Sequence, residues 1–101
     1  MIVVNAVIES TEADIAAMKP AIAAMEVASQ AEEGCWDYTF SVELNDPTKM
    51  RITERWESLE ALQAHFQTPH MAIFQAAMGA NPPLNLDVKF FDAKDMPSPF
   101  A

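Results

Sequence analysis

Residues 54–70 read Glu-Arg-Trp-Glu-Ser-Leu-Glu-Ala-Leu-Gln-Ala-His-Phe-Gln-Thr-Pro-His, and they hold a strand end and two helix starts. Met50, Ile52 and Trp56 alternate with polar residues, as on a strand with one covered face. Glu54 falls in that apolar register, so its carboxylate is expected to point inward. Ser58 is placed to cap a helix, and Thr68-Pro69 starts another, with Thr as N-cap and Pro at the first position. The two histidines of the chain, His65 and His70, flank that second junction. An inward carboxylate and two imidazoles in one strand–helix–helix unit make a candidate small-molecule site.

Outward from this unit the elements follow from periodicity. Residues 2–8 are apolar on both faces, which predicts a strand covered on both sides. Thr11 with Asp14 resembles a capping box for a long helix whose buried stripe is Ile15, Met18, Ile22 and Met25. Pro20 is expected to kink that helix and Glu32-Glu33-Gly34 to end it. Trp36, Tyr38, Phe40, Val42 and Leu44 then alternate with polar residues, residues 45–48 supply turn chemistry, and a second strand runs from Met50 to Trp56. Leu59, Leu62 and Phe66 line one short helix, and Met71, Phe74 and Met78 the next. Pro82-Pro83 stops the second, and residues 86–90 alternate as a last strand. The order β-α-β-β-α-α-β predicts an α+β, ferredoxin-like split βαβ fold with an antiparallel sheet and helices on one face. Residues 2–92 are expected to form one domain and 93–101 a tail. Because strand 1 is apolar on both sides, a second copy packing sheet against sheet is expected, giving a homodimer.

The chain has 101 residues, a net charge of -9 and a pI near 4.4. Phosphate backbones and anionic membranes would repel it, so nucleic-acid and membrane partners are not expected. Cys35 is alone, which excludes an internal disulfide and a cysteine metal cluster. No leader and no membrane-length apolar run are visible, so a reduced, cytoplasmic protein is expected.

Among candidate site residues, Glu54 sits where a carboxylate is costly unless paired, and His65 lies beside Ala61 and Leu62 on its helix. His70 is the second residue of the last helix, either at the site or completing the Thr68 cap. Asn5 interrupts an aliphatic strand and could aim its amide at a ligand oxygen. Tyr38 adds a hydroxyl, while Trp36, Trp56, Phe66 and Phe74 are most simply core. Two His and one Glu could bind a metal, but without paired helical His spacing no metal site is assigned.

These residues carry a resemblance. Glu33-Gly34-Cys35 followed by Tyr38, then Glu54-Arg55-Trp56-Glu57-Ser58, then residues 64–70, resemble the antibiotic biosynthesis monooxygenase (ABM) domain family in its small quinol-monooxygenase-like branch. The resemblance implies a dimeric α+β barrel with a pocket between sheet and helices in each subunit. The haem-degrading branch has a Trp where His65 stands and a His near Gln75, so haem degradation is disfavoured. The resemblance implies a cofactor-independent monooxygenase taking a small aromatic or quinol substrate and dioxygen. On that reading His65 is the base, Glu54 orients it, and Asn5 or Tyr38 donates to the oxyanion. His70, Trp56, Phe66 and Phe74 then line the substrate. Two alternatives stay open: an isomerase using His65 and His70 as acid and base, and a non-catalytic dimeric ligand-binding module.

Overall fold

The computed structural model describes residues 1–100, so the last residue of the expected tail lies outside the described residues. Its elements are β1 (Ile2–Glu9), α1 (Glu12–Gln30), β2 (Cys35–Glu43), β3 (Asp46–Trp56), α2 (Leu59–His65), α3 (Pro69–Ala80) and β4 (Asn85–Asp92). The four strands form one antiparallel sheet in the order β2-β3-β1-β4. This is the ferredoxin-like arrangement that the sequence predicts.

The three helix starts are capped by hydroxyls. Thr11, Ser58 and Thr68 accept hydrogen bonds from the amides of Asp14, Ala61 and Met71. Each satisfies a donor that a helix start otherwise leaves open, typically worth ~1 kcal/mol. α1 does not stop at Pro20 but continues to Gln30 and buries Met18, Ile22 and Met25 against the sheet. Their partners are Val4, Ala6 and Ile8 of β1, Tyr38 of β2, and Met50, Ile52 and Trp56 of β3, with Leu62 and Phe74 closing the layer.

Three details differ from the expectations. The hairpin pairs further than expected, with β3 beginning at Asp46, because the two-residue turn at 44–45 replaces the longer one. Leu44 is therefore exposed at the hairpin tip. The register of β2 shifts between Cys35 and Asp37, which turns Trp36 outward, 54% exposed, instead of into the core. Leu59 is also half exposed, so α2 is anchored by Leu62 and His65.

The turn before β2 depends on Gly34, whose φ is +80. A Cβ there would lie 2.8 Å from the Cβ of Ala61, so both the conformation and the space call for glycine. The Gly34 carbonyl accepts from the Glu57 amide at 2.8 Å, tying this turn to the end of β3. Glu32 is thereby held beside α2.

Candidate active site

One row of residues crosses the sheet on the helix side: Phe90 of β4, Val4 of β1, Glu54 of β3 and Tyr38 of β2 are register partners in turn. Alternation along β3 puts Glu54 on the same face as Ile52 and Trp56, and it is 7% exposed. Over this row lies a cavity of about 320 Å³ bounded by α2 and α3 and open along β4, whose Leu86, Val88 and Phe90 stay exposed. Aliphatic, methionine and phenylalanine side chains make most of its wall, and among the described residues Tyr38, Glu54, His65 and Gln75 are the polar ones that line it. Among the described residues no lysine or arginine lines it. A larger groove of about 500 Å³ runs between α1 and the β2–β3 hairpin, but it has no histidine, and its ionisable groups, Glu12, Lys19 and Glu26, all belong to α1.

The structure brings Glu54 and His65 to the same cavity but does not pair them. Glu54 Oε1 accepts the indole N–H of Trp56 at 2.9 Å. The orienting carboxylate of His65 is Glu32, whose Oε2 lies 2.6 Å from His65 Nδ1 and 2.7 Å from His70 Nε2. A carboxylate can only accept, so both rings present N–H to Glu32. Neutral His65 then carries its proton on Nδ1 and leaves Nε2 as a bare acceptor, which meets no partner among the described residues. The ring is fixed further by packing, with Trp56 at 4.8 Å and Tyr38 at 5.4 Å between centroids. Thr68, the cap of α3, donates its hydroxyl to the His65 carbonyl at 2.7 Å. Glu32 thus replaces Glu54 in the orienting role expected of it. It lies in the turn after α1, where no periodicity marks it; His70, with no carboxylate assigned to it, is the one signal the sequence offers.

Other expected site residues divide by position. Tyr38, Phe66 and Phe74 line the cavity, and Met71, Gln75 and Met78 of α3 join them. Trp56 does not line it: fully buried, it acts through its bond to Glu54. His70 does not line it either, being partly exposed on the far side of Glu32. Its role in the Thr68 cap is also unneeded, since the Thr68 hydroxyl accepts from Met71. The two histidines therefore do not face one substrate as an acid–base pair. Asn5 is exposed on the opposite face of the sheet, because its register partners are Thr53 and Lys89 while its neighbours Val4 and Ala6 point to the helices. An amide there cannot reach a ligand oxygen in this cavity.

Burial shapes the acidities. It raises the Glu54 pKa to about 7, with the negative charge of Glu32 adding to the rise and the Trp56 hydrogen bond opposing it. Burial and the Glu54 charge likewise hold the Tyr38 hydroxyl protonated. The Cys35 thiol is pushed up to about 11, chiefly by burial and then by Glu32, which leaves it a poor nucleophile. Among the described residues, Glu32, His65 and His70 form the one acid–histidine group compact enough to hold a metal ion. In this structure they hold one another by hydrogen bonds.

The geometry has relatives. The family model described as "Antibiotic biosynthesis monooxygenase" matches residues 1–77. A protein of Escherichia coli K12 named "Probable quinol monooxygenase YgiN" is 36% identical over 55 residues, 46% of this chain and 53% of that protein, so the match spans about half of the relative's length. A candidate antibiotic biosynthesis monooxygenase from Deinococcus radiodurans superposes with a TM-score of 0.89 at 21% identity, covering 100% of both chains. Rv0793 from Mycobacterium tuberculosis gives 0.83 at 24%, covering 96% of this chain and 98% of that one. These two likenesses establish the shared fold, and no helix of the described residues is long and apolar enough to cross a membrane. The family-model match covers most of the chain, which belongs to the antibiotic biosynthesis monooxygenase family.

Proposed function

We propose that this protein is a cofactor-independent monooxygenase that oxidises a quinol or related electron-rich phenol with dioxygen. The observation that carries the reading is the bare Nε2 of His65 in a small, largely apolar cavity, with Nδ1 held by Glu32. Such chemistry needs a base to take the phenol proton, so that the phenolate can pass an electron to dioxygen, and a dry pocket to contain the radical pair. His65 is that base, Glu32 fixes its tautomer and stabilises the imidazolium, and the Tyr38 hydroxyl is the donor to the developing oxyanion. The name of the Escherichia coli relative agrees with a quinol substrate. The absence of lysine and arginine from the lining disfavours a phosphorylated one. The test is oxygen uptake by the purified protein with benzoquinols and naphthoquinols and no added cofactor. Uptake coupled to loss of the quinol is expected, and none across the panel would overturn the reading.

The working form is proposed to be a homodimer. Val3 and Val7 of β1 and Phe91 of β4 stay partly exposed on the sheet face that carries no helices, where a second copy would cover them. Sedimentation at micromolar concentration is expected to show a particle of twice 11.2 kDa, and a monomer alone would contradict this.

A further inference from the structure

With His65 oriented by Glu32, the buried carboxyl of Glu54 is left without an assigned task. We propose that Glu54 is the second proton-transfer group of the cavity, a neutral carboxylic acid that protonates the peroxide formed when dioxygen joins the substrate. This rests on the monooxygenase reading above.

The surroundings of Glu54 support a neutral acid. Across the sheet it faces Val4 of β1 and Tyr38 of β2, and α2 contributes His65 to the same cavity. Arg55, the next residue of β3, projects to the other face and pairs with Asp37 at 3.8 Å. The charged groups nearest Glu54 are thus Glu32, which repels a second negative charge, and the His65 imidazolium when it forms, already paired with Glu32. A carboxyl buried without a cation keeps its proton. Among the described residues only Oε1 is occupied, by the Trp56 N–H, so the hydroxyl on Oε2 is open to donate.

The protons and electrons balance with dioxygen as sole oxidant. The phenol proton goes to His65 Nε2, and the phenolate gives one electron to dioxygen. The resulting radical and superoxide join through a C–O bond, leaving a peroxide anion on a ring carbon that still bears hydrogen. Glu54 gives its proton to the terminal oxygen, making a hydroperoxide and a Glu54 carboxylate. That carboxylate then takes the ring proton as the O–O bond breaks, which forms a carbonyl and restores the acid. The departing hydroxide collects the proton held on His65 and leaves as water. One oxygen atom stays in the product, and each protein group returns to its starting state.

Glu54→Gln tests this, because glutamine keeps an acceptor for Trp56 and cannot transfer a proton. The wild-type minus variant infrared difference spectrum at pH 6 should contain the carbonyl stretch of a protonated carboxylic acid. Oxygen uptake with the quinol panel should fall about 10²-fold or more in kcat, with KM little changed. The wild-type rate should also decline at alkaline pH as Glu54 ionises, and the variant should lack that limb. A carboxylate band in place of the acid band, or a variant as fast as wild type, overturns the role of Glu54 while leaving the monooxygenase reading in place. No uptake by wild-type protein with any quinol removes that reading and the peroxide step with it.

Discussion

His65→Ala is expected to lower quinol turnover by about 10²- to 10⁴-fold, the usual contribution of a positioned general base. The size follows from placement: among the described polar residues lining the cavity, the His65 ring alone has its tautomer fixed by a partner and an acceptor nitrogen left open. Below about pH 7 Glu54 keeps its proton, and the Tyr38 hydroxyl is held protonated, so in that range neither replaces the imidazole. Folding should survive, since alanine suits the last turn of α2 and Glu32 keeps its bond to His70. An oxygen electrode and a thermal melt on the same sample separate the two effects. Wild-type turnover in a folded variant would remove His65 from the mechanism.

Glu54 should make the protein less stable as pH rises, opposite to a salt-bridged carboxylate. Its folded pKa, about 7, lies above the ordinary value of 4.5 that the unfolded chain would show. Below pH 4.5 both states are protonated and the group is neutral to stability. Between the two values the unfolded chain ionises while the folded one holds its proton, so unfolding releases a proton and stability falls as pH rises. Above about pH 7 the loss is complete, at roughly 3 kcal/mol. Urea unfolding of wild type and Glu54→Gln across pH 4 to 8 isolates this contribution, because the other carboxylates are common to both. The variant should gain on wild type by roughly that amount as pH rises. A constant difference across the range would show that Glu54 ionises normally in the folded protein.

The fold was legible because its signals are local. Hydroxyl caps at Thr11, Ser58 and Thr68 start all three helices, and alternation from Met50 to Trp56 sets the face of the central strand. That same alternation carries Glu54 to the cavity that receives His65. What stayed hidden depends on tertiary contact or broken register. Glu32 meets His65 and His70 from more than thirty positions away, through a turn that the left-handed Gly34 closes. The face that Asn5 takes is not legible, because β1 is apolar on both sides and its composition does not say which face the helices cover. Trp36 follows the alternation of β2 on paper, yet the irregularity beside it turns the indole outward. The β4 wall of Leu86, Val88 and Phe90 follows only from pairing with Ile8, Ala6 and Val4.

Reaction under oxygen-18 gas, with mass analysis of product and water, addresses the central claim most directly. Chemistry in which His65 releases the phenolate and dioxygen adds to the ring places one labelled atom in the organic product and the other in water. Quinone lacking the label, accompanied by hydrogen peroxide, would mean simple oxidation, and two labelled atoms in the product would mean dioxygenation. Either result would contradict a monooxygenase.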